Sequence, residues 1–162
     1  MKRIDIPKFI LSLTFCFLAA ALGSAFTTSQ IATWYAGLHK PSFSPPNWIF
    51  GPVWTILYIL MAISLYIVWN YKTKSNKTAV ARHNGILYFF VQLICNSLWS
   101  IVFFGLHAPM AAFFVIIALW TFIFLSMRNF SMVTKTAGQL LIPYLAWVSF
   151  ASVLNFSVVL LN

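Results

Sequence analysis

Residues 109–127 read PMAAFFVIIALWTFIFLSM, nineteen residues without a charge, closed by Arg128. A run of this length matches the ~20 residues that an α-helix needs to cross the hydrocarbon of a bilayer. It does not alternate, whereas a barrel strand needs only ~10 residues with every second one apolar. Backbone N–H and C=O groups in lipid must be paired internally, which leaves helix as the choice. Comparable runs lie at about residues 6–26, 47–70, 85–106 and 137–161. The expected fold is therefore an all-α membrane protein, a five-transmembrane-helix bundle forming a single domain over residues 1–162. The composition agrees, with 62% hydrophobic, 19% aromatic and only 7% charged residues.

The net charge of +9 is unevenly spread. Lys2, Arg3 and Lys8 precede the first run; Lys72, Lys74, Lys77 and Arg82 lie between the second and third; Arg128 and Lys135 lie between the fourth and fifth. With five spans these nine residues share one face and Lys40 stands alone on the other. The positive-inside rule then puts the N-terminus in the cytoplasm and the C-terminus outside, in a multi-pass protein of the cell membrane. The basic excess is a topology signal and suits anionic lipid headgroups; it does not point to nucleic acid. Residues 1–25 also read as a signal peptide, with basic MKR, an apolar stretch and Gly23-Ser24-Ala25 as a small-residue cleavage site. The reading preferred here is a retained span, because Ala19 with Gly23, Ala20 with Ser24 and Ala21 with Ala25 are pairs suited to close helix packing.

Several kinds of chemistry find no residues to carry them. Asp5 is the only acidic residue and precedes the first span, which leaves no paired carboxylates and no intramembrane proton relay. Cys16 and Cys95 fall inside apolar runs, and His39, His83 and His107 fall in loops or span ends, without metal-ligand spacing. No bound metal or cofactor is expected, and no Ser or Thr has the partners of a nucleophile.

What the chain has is aromatic. Residues 34–54, WYAGLHKPSFSPPNWIFGPVW, break the apolar sequence, and residues 28–46 form the one long connection on their face. Pro41, Pro45 and Pro46 stiffen it, while Ile31, Trp34, Tyr35 and Leu38 have helical spacing that lays an apolar face on the bundle, so it reads as a lid. Beneath it, Trp54, Tyr58 and Met61 follow one face of the second span, and Gln92, Asn96 and Ser100, flanked by Trp99, form a polar row on the third. The fifth span adds Trp147, Ala151 and Asn155 below Pro143 and Tyr144. Amides bonding between helices and tryptophans in interfacial belts would explain each residue singly. Their convergence describes a concave apolar pocket with a few amide groups, with Ala151 leaving room beside Trp147 for a flat hydrophobic small molecule.

WYAGLHKPSFSPPNWIFGPVWTILYILM, QLICNSLWSIVFFG and LLIPYLAWVSFASVLN closely resemble the TspO/MBR family, the tryptophan-rich sensory proteins whose animal members are called translocator protein or peripheral benzodiazepine receptor. The resemblance implies a five-helix bundle, commonly a homodimer, that binds porphyrins such as protoporphyrin IX, sterols in some members, and synthetic isoquinoline and benzodiazepine compounds. It places Trp54, Asn96, Trp99, Trp147 and Ala151 in the pocket, with Tyr35 as a lid contact. Light- and oxygen-dependent breakdown of protoporphyrin in bacterial members would make Trp54 and Trp147 the redox-active pair. Lys40 is placed where a porphyrin propionate would emerge into water. The chain departs from animal members at the end of the fifth span, where LNFSVVLLN has Phe156 and no basic residue after it, which puts sterol binding there in doubt. A loose sterol pattern does occur at Leu60, Tyr66 and Lys72. Alternatives to porphyrin chemistry are a tetrapyrrole or sterol transporter and a stress-responsive membrane regulator.

Overall fold

The computed structural model describes residues 5–162, so Lys2 and Arg3 of the basic face lie outside the described residues. Five helices are long and apolar enough to cross a membrane, and there is no strand among the described residues. In chain order the helices are α1 (Ile6–Ile31), a short α2 (Trp34–Gly37), α3 (Phe50–Trp69) entered through a 3-10 turn at Asn47–Ile49, α4 (Asn76–Ser100), α5 (Pro109–Val133), α6 (Lys135–Gln139) and α7 (Ile142–Leu161).

Local chemistry sets the helix ends. Asp5 caps α1 by accepting from the Lys8 N–H at 3.3 Å and pairs with the Lys8 ammonium at 3.0 Å. The hydrogen bond from that side chain, first of all, holds the Asp5 carboxyl below the usual carboxylate range. Ser75 caps α4 and Thr134 caps α6. α6 and α7 are one span, interrupted at Leu140–Leu141 ahead of Pro143, whose ring nitrogen cannot donate.

Two helices run beyond their apolar sequence. α1 continues to Ile31 through a polar stretch, because Thr27 and Thr28 donate to the Gly23 and Ser24 carbonyls of their own helix at 2.9 Å. The predicted lid, residues 28–46, therefore contains the last turn of α1 and all of α2. α4 begins at Asn76 rather than near residue 85, so Lys77 and Arg82 stand on a helix, with an Arg82 N–H donating to the Tyr71 carbonyl at 2.9 Å. Its far end widens into a π-helical turn at Ile101–Gly105, where Phe103 and Phe104 are buried.

α4 and α5 form the most extensive pair; α1 packs on α3 and α4, and α7 on α5. Met61, Leu65, Phe89, Ile116, Ile123 and Phe130 fill the core. Of the three small-residue pairs on α1, one makes the close helix contact: Ala19 accepts from the Ser97 hydroxyl at 3.2 Å, and Gly23 lies against Ser100. Ala21, Ser24 and Ala25 are exposed. Cys16 and Cys95 are free thiols. Tyr66 of the loose sterol pattern faces α1, accepting from the Asp5 N–H at 3.1 Å with its ring edge-on to Phe9.

Gly85 sets the approach of α4 to α5, since a Cβ there would come within 2.7 Å of the buried Phe130 ring. Gly85→Val should therefore destabilise the bundle by about 1–3 kcal/mol, the usual cost of overpacking. Gly37→Ala, where an added Cβ meets nothing within 4 Å, should leave thermal unfolding in detergent unchanged.

Candidate functional site

The first, second, third and fifth spans part around a cavity of about 490 Å³ beneath α2. Its size falls in the range of roughly 300–1,000 Å³ typical of small-molecule sites. Tyr35, Trp54, Tyr58, Asn96, Trp99, Ser100, Trp147 and Ala151 all stand in its wall, on four different elements. Met61 and Gln92, from the same helical rows, lie deeper: Met61 is in the packed core and Gln92 is 1% exposed. Asn155 completes the fifth-span row and does line the cavity.

The aromatic wall is a contact network. Trp54 stacks on Tyr58 with centroids 5.6 Å apart and meets Tyr144 edge-on at 6.1 Å. Trp147 lies edge-on to Phe50 at 5.9 Å and near Phe150 at 5.6 Å. Trp99 stacks on Phe103 at 5.2 Å. Its indole N–H donates to Asn155 Oδ1 at 3.0 Å, and Asn155 Nδ2 donates to the Pro109 carbonyl at 2.9 Å. Thus a tryptophan deep in one span is tied to an amide of another and to the start of α5. The Trp147 indole N–H is buried without a partner among the described residues.

Polar groups gather on the floor. Tyr58 donates to Asn96 Oδ1 at 2.6 Å, Asn96 Nδ2 donates to the Tyr144 hydroxyl at 2.8 Å, and Tyr144 donates to Gln92 Oε1 at 2.8 Å. No charged side chain stands in the wall among the described residues. On one side the wall thins: Ala21, Ser24 and Thr28 of α1 and Gly51 and Thr55 of α3 line the cavity and are also exposed on the bundle surface.

The cover is fastened at both edges. Trp34 stacks on the His107 ring with centroids 4.4 Å apart, and His107 Nε2 lies 3.0 Å from Gln30 Oε1. His107 holds a left-handed backbone with φ 51°, a conformation in which His is enriched among non-glycine residues. At the other edge His39 exchanges two hydrogen bonds with the Asn162 side chain, each 3.0 Å. Pro41 accepts from the Ser44 N–H at 3.0 Å in a tight turn. Burial pushes the Tyr35 phenol above its ordinary pKa, partly offset by the Ser44 hydroxyl.

Lys40 is not in the cavity wall. Its ammonium donates to the carbonyls of Tyr35 at 2.7 Å, Leu38 at 3.1 Å and Ala36 at 3.4 Å, and sits 4.8 Å above the Tyr35 ring. A cation at the C-terminal end of a helix answers its unpaired carbonyls, so Lys40 here secures α2. The sequence reading missed the contribution of α1, where Ala20, Gly23, Ser24 and Thr27 line the cavity. The signal was there in their spacing of three and four residues, which puts them on one helix face and leaves room beside it.

The TspO/MBR family model matches residues 12–161. "Tryptophan-rich protein TspO" of Archaeoglobus fulgidus is 44% identical over 158 residues, covering 98% of this chain and 99% of the relative. The protein of the same name from Chlorobaculum tepidum is 45% identical over 147 residues, 91% and 90% of the two chains. "Translocator protein" of Homo sapiens is 34% identical over 141 residues, 87% and 82% of the two.

The fastenings make the cover separately adjustable. Lys40→Met together with Asn162→Ala should raise amide hydrogen exchange at residues 38–46 by about tenfold or more, since two or more hydrogen bonds of net worth near 0.5–1.5 kcal/mol are lost. Exchange in α4 and α5 should stay at the wild-type level.

Proposed function

The chain belongs to the TspO/MBR family, and on that premise we propose that its cavity binds flat hydrophobic ligands from within a membrane, porphyrins such as protoporphyrin IX among them. The observation that carries the reading is the convergence of Trp54, Trp99 and Trp147, from three spans, on one apolar cavity. A planar ring system gains most of its binding from area removed from lipid or water and from stacking, and three indoles with Phe50 and Tyr58 supply both. The lack of a charged side chain in the wall, among the described residues, fits a ligand whose ring is neutral. Propionate groups then extend past the cover toward water. The charge asymmetry supports a cytoplasmic N-terminus with the cover on the outer face. Family membership supports a homodimer.

A light-driven oxidation of the bound porphyrin is the chemistry we assign to the site, with the porphyrin as light absorber and dioxygen as oxidant. Trp54 and Trp147 are the residues to which we give the exchange of an electron with an excited ring stacked on them, and binding geometry takes the place of an acid or base. The thinned wall between α1 and α3 favours a second reading, in which a lipid-dissolved ligand is carried between bilayer and cavity without reaction.

Illumination of purified protein with protoporphyrin IX, with and without oxygen, separates these readings: oxygen-dependent loss of porphyrin absorbance beyond that of free porphyrin supports the first. Trp54→Phe and Trp147→Phe should each bind protoporphyrin to within roughly tenfold of wild type, because a stacking contact is worth about 0.5–1.5 kcal/mol. Both should lose the photochemical step; wild-type rates in both would reduce the indoles to packing. Ala151→Leu adds volume one turn from Trp147 and should weaken protoporphyrin by about 1–3 kcal/mol through overpacking. Unchanged affinity in a folded Ala151→Leu protein would remove Ala151 from the site.

A further inference from the structure

The hydrogen bonds in the cavity floor run in one direction, and the residue that fixes the direction is outside the cavity. Tyr144 spends its single O–H on Gln92 Oε1, so its oxygen is left to accept the Asn96 Nδ2 donor. With its nitrogen held there, Asn96 turns Oδ1 to Tyr58, which spends its own O–H on that oxygen. Tyr58 can then meet a ligand only through its oxygen lone pairs. Other donors of the wall are spent in the same way, although the Trp54 and Trp147 indole N–H groups, which also line the cavity, are not. Trp99 donates to Asn155, and Ser24, Thr27, Thr28 and Thr55 each donate to a carbonyl of their own helix.

Gln92 holds its carbonyl toward Tyr144 at a cost. The side chain is 1% exposed and its Nε2 has no partner among the described residues. A buried N–H left unpaired is unfavourable and calls for an explanation. Its carbonyl supplies one, because among the described residues it is the acceptor of the single Tyr144 O–H.

We propose that Gln92, which touches no ligand, sets the hydrogen-bonding polarity of the cavity floor: through Tyr144 and Asn96 it holds Tyr58 as an acceptor, so that at Tyr58 an N–H or O–H donor of a flat apolar ligand is favoured over a carbonyl. The inference rests on the proposed use of the cavity by flat hydrophobic ligands and names what such a ligand must offer. Gln92 is a positioning residue, and Tyr58 is the group that contacts the ligand. The Trp54 and Trp147 indole N–H groups, the second amide hydrogens of Asn96 and Asn155 and the Ser100 hydroxyl remain as donors whichever way the chain of bonds runs. Variants therefore isolate the contribution of Tyr58.

The test uses two planar tricyclic probes of nearly the same shape, carbazole, with one N–H, and 9-fluorenone, with one carbonyl. Each is titrated calorimetrically into the 162-residue chain in nanodiscs. Wild type sets the reference ratio of the two affinities. Gln92→Met keeps the length but removes the acceptor: Tyr144 becomes free to donate to Asn96 Oδ1, the amide turns over to donate to Tyr58, and the Tyr58 O–H turns to the cavity. The carbazole-to-fluorenone affinity ratio should fall by roughly three- to tenfold, the worth of one hydrogen bond. Adding Gln92→Met to Tyr58→Phe should leave the ratio where Tyr58→Phe alone puts it, an outcome that a mere change in packing would not give. Should Gln92→Met not fold, Gln92→Leu removes the same acceptor while keeping the Tyr144 hydroxyl and should move the ratio in the same direction. An unchanged ratio in a folded variant that binds both probes overturns the role of Gln92 and leaves the flat-ligand site standing. Failure of both probes to bind wild type overturns the flat-ligand reading and this inference with it.

Discussion

A polar group in hydrocarbon has no water to turn to, and each one left unpaired costs several kcal/mol. That constraint dictates most of what α1, α3, α4, α5 and α7 do with their side chains. Ser12, Thr14, Thr121, Ser126 and Ser152 each donate to the carbonyl four residues earlier, so their hydroxyls disappear into the helix that carries them. The groups that cannot fold back in this way bond between spans: Ser64 to the Ala137 carbonyl at 2.7 Å, Ser97 to Ala19, Asn155 to Pro109. Those bonds fix helix pairs in register, which apolar packing against equally apolar lipid does only weakly.

The cavity exists where this pairing is completed without the helices meeting. Tyr58, Asn96, Tyr144 and Gln92 bond to one another in a line beneath it, so of the floor's buried side-chain polar atoms only Gln92 Nε2 is left without a partner among the described residues. Above them α1 presents Ala20, Gly23, Ser24 and Thr27, residues too small to fill the space that the tryptophans of α3, α4 and α7 border. The π-helical turn at Ile101–Gly105 brings Phe103 and Phe104 under Trp34 and Tyr35, and so ties the cover to α4 through rings rather than through the backbone.

How far this could be read from sequence followed the kind of signal each residue gives. Span number came from uninterrupted apolar length, which responds to the bilayer directly, while helix ends at Ile31 and Asn76 escaped because polar residues continue a helix when Thr27, Thr28 and Ser75 satisfy it locally. The rows Trp54–Tyr58, Asn96–Ser100 and Trp147–Ala151 were legible because their residue types stand out at helical spacing, and all six residues line one cavity. The wall given by α1 left only the spacing of Ala20, Gly23, Ser24 and Thr27 as a trace, a weaker signal because these residues act through volume they lack. Lys40 and His107 were illegible for another reason: what each touches depends on α2 forming and on a left-handed turn, neither of which periodicity encodes.

The distribution of charge also bears on how selectivity arises. Among the described residues the nearest basic side chain of the cover, Lys40, is committed to three carbonyls, and the cavity wall holds no ion. A ligand's own charge would thus have to remain in water at the cover, where an exposed pair contributes only about 0–1 kcal/mol. Discrimination inside is left to shape and to the direction of a few hydrogen bonds. Direction is the sharper of the two, because a site built around satisfied oxygens and nitrogens penalises a ligand that leaves one of them facing a like group. The single O–H of Tyr58, turned toward Asn96, would therefore weigh more on which ligands such a site accepts than any charged residue of the cover.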